Sequence, residues 1–171
     1  MVLGRFENFP KNIHKATVFN YQDPKSKLQQ TVLCAFQRLN KQTFTLNKIM
    51  PFFEQNYKVS FEFGIADGSD FIFLDKKELK RNLKALDENE FKVLDFFLVV
   101  RYHRTDVKGK QIPLRFDYHV LRFVFHEKIV ELLIRHERGT QRIAIEDLVE
   151  FLTKQINLEL KKRQIPVLVA D

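Results

Sequence analysis

Three observations predict an α+β domain built around a long antiparallel meander. Runs with alternating apolar positions are joined by turn residues rather than by crossover segments. Apolar residues recur at helical spacing in three separate stretches, and the last of these is the longest amphipathic segment in the chain. The expected architecture is a strongly curved, mainly antiparallel sheet of about six strands, with helices packed on one face and a long C-terminal amphipathic helix. A chain of 171 residues suits a single domain over 1–171.

Ile13, Ala16, Val18 and Phe19 mark a short strand from His14 to Tyr21. It stops at Asp23-Pro24, where proline suits the first helical position after an aspartate cap. Leu28, Val32, Ala35 and Leu39 then share one helical face. Alternation at Thr43 to Leu46, Tyr57 to Phe63 and Phe71 to Leu74 predicts three strands, the last two joined as a hairpin by Asp67-Gly68-Ser69. Asp75 and Glu78 have capping-box spacing ahead of Leu79, Leu83 and Leu86. Three long strands follow, Phe91 to Arg104, Leu114 to His126 and Ile129 to Glu137, with turns at Val107 to Lys110 and at Glu127-Lys128. Strands well beyond the usual five or six residues are expected to twist or bend, which is the source of the predicted curvature. After Gly139, the positions Ile145, Leu148, Val149, Leu152, Ile156 and Leu160 mark the terminal helix, and Ile165 to Val169 reads as an edge strand or a groove-bound tail. This order of strand, helix, meander and terminal helix is similar to that of helix-grip ligand-binding folds, with the helix from Asp75 to Leu86 as a departure. The similarity implies an apolar-ligand cavity between sheet and terminal helix.

Composition narrows the functional classes. No apolar run approaches the ~20 residues that cross a bilayer, so no membrane insertion is expected, and the first ten residues lack the apolar core of a signal peptide. The single Cys34 excludes an internal disulfide and a Cys-rich zinc site, and it reads as a small packed hydrophobe in an intracellular, cytoplasmic protein. Phe is abundant at 18 residues, with no Trp, which suits large side chains filling the space between sheet and helices. The net charge is +7, of which Arg101 to Arg142 contributes +5, and four of the five histidines fall in the same stretch.

Register decides which of those side chains meet. Pairing Arg101 with Asp117 puts Leu98, Val100, Tyr102, Phe116, Tyr118 and Val120 on an apolar face, and Arg101, His103, Arg115, Asp117 and His119 on the other. The one-residue alternative, with Arg101 beside Phe116, mixes polar and apolar neighbours. A two-residue turn at Glu127-Lys128 sets Phe123 across from Leu132, Leu121 across from Ile134 and His119 across from His136, with Arg138 near Asp117. The expectation is a contiguous basic, histidine-rich patch at one end of the sheet.

Cations that displace counterions and flat side chains that stack bases are what nucleic-acid binding requires. The candidate polyanion-binding residues are Arg101, His103, Lys108, Lys110, Arg115, His119, His136 and Arg138. Catalysis by His119 and His136 with Asp117 is the rival chemistry, but no nucleophile motif or glycine-rich phosphate loop accompanies it. Asp67-Gly68-Ser69-Asp70 lacks the remaining ligands of a calcium loop, and no metal or cofactor is expected. The sequence therefore reads as a non-enzymatic binding module that contacts RNA or DNA. The alternatives are a protein-interaction or assembly subunit, forming a homodimer or hetero-complex, and a helix-grip-like binder of apolar ligands.

Overall fold

The structure is a computed structural model that describes residues 2–22, 24–54 and 56–171. The expected cap at Asp23 lies outside the described residues. The elements run β1 (Lys15–Asn20), α1 (Lys25–Leu39), β2 (Thr43–Thr45), a single 3-10 turn (Leu46–Lys48), β3 (Tyr57–Asp67), β4 (Asp70–Phe73), α2 (Lys76–Glu88), β5 (Val93–Thr105), β6 (Gln111–Pro113), β7 (Asp117–Phe125), β8 (Ile129–Arg138), α3 (Ile145–Lys162) and β9 (Val169–Ala170). The class is α+β, and the sheet has nine strands in the order β2-β3-β5-β7-β8-β1-β9, with β4 added on β3 and β6 on β5.

Two parts of the expected architecture are corrected. The sheet is neither strongly curved nor closed, and it has nine strands rather than about six. The reason lies in how long strands find partners. One side of the 13-residue β5 is divided between two shorter strands, β6 at His103 to Thr105 and β7 at Val93 to Val100, with Arg101 and Tyr102 between the two ladders. Length is thus absorbed by dividing the partners instead of curling the sheet. The tail takes the edge-strand alternative, displaced toward its end, as β9 pairs with Phe19 and Asn20 at the edge of β1.

Local signals hold where their chemistry is self-contained. Asp75 caps α2 by accepting from the Glu78 amide at 2.8 Å. The β3–β4 hairpin closes at Asp67 and Asp70 around Gly68, at φ 73°. The β7–β8 turn holds Lys128 at φ 64°, and Phe123 faces Leu132, Leu121 faces Ile134 and His119 faces His136, as expected.

The core forms between one sheet face and the helices. Phe36 of α1 stacks on Phe63 at 4.2 Å and meets Phe96 and Phe123 at 4.9 and 5.8 Å. Phe151 of α3 stacks on Phe61 at 5.3 Å and touches Phe44 at 5.2 Å. Where sheet and helices meet, the space is filled with rings, each contributing a few kcal/mol of burial. Arg38 and Glu159 tie α1 to α3 by an ion pair, and α2 packs against α1. Cys34 is partly buried with a free thiol. Among the described residues, no helix is long and apolar enough to cross a membrane.

The opposite sheet face is divided. Residues 3–9 cross part of it, bridging to Asp67 and Gly68 of the β3–β4 hairpin. Beneath them Asp95 is fully buried and held by Arg122, with both contacts at 2.7 Å, while the Phe6 amide donates to the same carboxylate and Phe9 lies over the guanidinium at 4.3 Å. The remainder of this face, around Arg101, has no such cover among the described residues.

Candidate functional site

The register of β5 against β7 determines the site, and it corrects the expected patch. Val100 pairs with Asp117 and Leu98 with His119, one residue away from the favoured alignment. Asp117 and His119 therefore face the core, while Phe116 and Tyr118 turn outward with Arg101. The energetic reason is visible further along β7. This alignment sets Leu121 and Phe123 opposite Phe96 and Leu94, and all four are buried with Phe125. A slip would turn Leu121, Phe123 and Phe125 away from the helices, at roughly 1.5–3 kcal/mol each. That outweighs the cost of burying a carboxylate whose hydrogen bonds are satisfied.

Asp117 is so satisfied. Its Oδ2 accepts from the Tyr102 hydroxyl at 2.7 Å and the Arg142 amide at 3.2 Å, and its Oδ1 accepts from His136 Nε2 at 2.9 Å and the Gln141 amide at 2.6 Å. Burial alone raises its pKa, and these donors more than reverse that, holding the carboxyl below the ordinary range. Burial, helped by the bond to Asp117, pushes the Tyr102 hydroxyl up. Gly139 makes the close approach possible. It adopts φ 118°, and a Cβ there would collide with Asp117 Oδ1.

His119 lies within the same cluster, its ring 5.0 Å from His136, yet neither of its nitrogens has a hydrogen-bond partner among the described residues and the residue is fully buried. Burial, reinforced by His136, depresses its pKa to about 4, so it is neutral near pH 7. An acid-base role needs access to a substrate, and His119 has no exposure. The carboxylate orients His136 rather than His119. The His136 amide in turn donates to His14 Nδ1 at 3.0 Å. Tyr102, Asp117, His136 and the 139–142 loop form a polar tie joining three strands to the start of α3.

The eight expected residues thus separate into three groups. His119 and His136 belong to the buried tie. Lys108 and Lys110 project from an exposed hairpin tip, where their amides donate to Asp106. Arg101, His103, Arg115 and Arg138 line the outer surface or its rim, with Arg115 and Arg138 exposed. Arg101 contacts Glu62 at 3.2 Å and lies 5.3 Å over the ring of Phe116, which is 39% exposed. A bulge at Tyr118/His119 brings Arg138 opposite Tyr118.

The site also contains residues the sequence reading left in the core or did not consider. Phe116 and Tyr118 contact each other at 5.0 Å, Tyr118 meets Phe97 at 5.1 Å, and the row continues through Phe71 to Phe6 at 5.6 and 4.6 Å. Among the described residues, no three His, Cys, Asp or Glu side chains are grouped to hold a metal ion. A cleft beside α3, of about 570 Å³, runs along β1 at Lys15, Thr17 and Phe19, at the sheet's margin. Searches find no family model that matches the chain, and no curated protein or solved structure that matches it.

Proposed function

We propose that the uncovered part of the outer sheet face binds a polyanion, RNA or DNA, as a non-enzymatic module. The observation that carries this reading is the juxtaposition of one exposed and one partly exposed ring with cations. Phe116 and Tyr118 stand among Arg101, Arg115 and Arg138 on the side away from the helices. Guanidinium groups contact phosphate while rings offer flat apolar surface, a combination suited to nucleic acid and wasteful on a merely solvated face. Lys108 and Lys110 extend the positive field at the hairpin tip.

Fluorescence anisotropy with labelled oligonucleotides at two salt concentrations tests this. Affinity should fall steeply as salt rises, and the combined Arg101→Glu, Arg115→Glu and Arg138→Glu variant should lose binding while keeping its circular dichroism spectrum. No binding at low salt, or a folded triple variant that binds normally, sinks the reading.

One observation favours a second reading, assembly through the sheet edge. β9 covers β1 only at Phe19 and Asn20, leaving the rest of that edge without a strand partner among the described residues. Edge-to-edge pairing of two copies would make a dimer, which light scattering would detect and a proline at Ala16 would disrupt.

A further inference from the structure

Two clefts adjoin on the outer face. The first, of about 590 Å³, is walled by Phe6, Phe71, Phe97 and Tyr118, with Ser69 and Asp70 at its lip. The second, of about 350 Å³, is bounded by Arg115, Phe116, Tyr118 and Gly139. Both include Tyr118 and Arg138. Tyr118 therefore stands between them, contacting Phe97 of one cleft at 5.1 Å and Phe116 of the other at 5.0 Å.

A row of partly exposed rings on the solvent side of a sheet, with Phe116 the most open at 39%, leaves some apolar surface in water unless a partner covers it. Arg115 and Arg138 at the second cleft and Arg101 over Phe116 favour an anionic partner, the Glu137 carboxylate at the first cleft being paired with Arg135 at 3.2 Å, and the rings favour a flat one. A duplex hides its base faces within its own stack, and only a single strand can lay them on side chains.

Resting on the polyanion reading, we infer that the bound nucleic acid is single-stranded, with successive unpaired bases seated in the two clefts on either side of Tyr118 and the phosphate between them held by Arg138. Ser69 and Asp70 stand where the edge of the first base would meet polar groups. Arg101, already lying over Phe116, extends the positive track beyond the second base.

The test uses the full chain at low salt and three labelled probes of equal length, about ten nucleotides, within the span one such face covers. These are a single strand, its duplex, and an abasic strand carrying the same phosphates. The single strand should bind at least tenfold tighter than either of the others. Tyr118→Leu and, separately, Phe116→Leu should each weaken single-strand binding between about fivefold and a hundredfold, the range of one stacked base. Abasic binding should not change, and Tyr118→Phe should retain wild-type affinity. Equal binding of all three probes, or folded leucine variants with unaltered single-strand affinity, overturns base seating and leaves the polyanion reading standing. Failure of every probe to bind overturns both.

Discussion

Asp95 and Asp117 are both fully buried, lie on neighbouring strands and point to opposite faces of the sheet, yet they are stabilised in different ways. Asp95 is matched by a full positive charge, with Arg122 gripping both oxygens. Among the described residues, no arginine head forms an ion pair with Asp117. A phenol, an imidazole and two backbone amides stabilise its charge with oriented dipoles. The first arrangement rests on one ion pair, with the Phe6 amide as a further donor from residues 3–9. The second needs the 139–142 loop to be folded, so the carboxylate is coupled to the entry of α3. A buried charge can be stabilised by a counter-ion or by a shell of donors; both bind several elements together, and the shell alone reaches the entry of α3.

Breaking the counter-ion side should have the largest effect. Asp95→Ala strands Arg122 beneath residues 3–9 and should cost about 3–5 kcal/mol, read as a lower urea midpoint. The acid limb of stability comes next and belongs to the other cluster. His119 in the folded protein has a pKa of about 4 against an ordinary 6.5, so the unfolded chain takes up a proton that the folded one refuses. Stability is complete above pH 6.5 and falls by on the order of 3 kcal/mol as pH drops to about 4. Asp117, whose pKa is lowered, adds a further loss only below the ordinary carboxylate range. His119→Phe should flatten the first segment without costing stability at pH 7, because its ring nitrogens have no hydrogen bonds to lose. Asp117→Asn turns an NH₂ toward groups that are themselves donors and should cost about 2–3 kcal/mol. Gly139→Ala, which forces a Cβ onto Asp117, should cost about 1–3 kcal/mol by thermal unfolding. Arg138→Glu should change stability by less than about 0.5 kcal/mol, because an exposed side chain has little to lose.

Helices and hairpins were legible in the sequence because their signals are local, as Asp75 capping α2 and the Glu127-Lys128 turn illustrate. The β5–β7 register differs from the expected one because matching Phe116, Tyr118 and Val120 to the apolar face of β5 sends Asp117 and His119 to the polar face, whereas the structure buries them. A better signal was present. Asp95 and Arg122 each interrupt an apolar run, and they are direct cross-strand partners. Pairing those charges gives the observed alignment and places Phe116 and Tyr118 beside Arg101. The cover formed by residues 3–9 was not legible, since it depends on Phe6 and Phe9 meeting a charge pair made by distant strands. The break between β6 and β7 was equally hidden, because Leu114 to Phe116 carry no turn residue.

The placement of β1 has a consequence for the order of folding. It is the first strand in the sequence, but its ladder partners are β8, from Lys15 opposite Ile134, and β9. Contacts so distant along the chain must await closure of nearly the whole sequence, which slows folding even when each contact is favourable. During synthesis the meander from β5 to β8 can assemble through hairpins while β1 still has no place in the sheet. A strand that leaves the ribosome before both of its ladder partners is thus among the last to be docked.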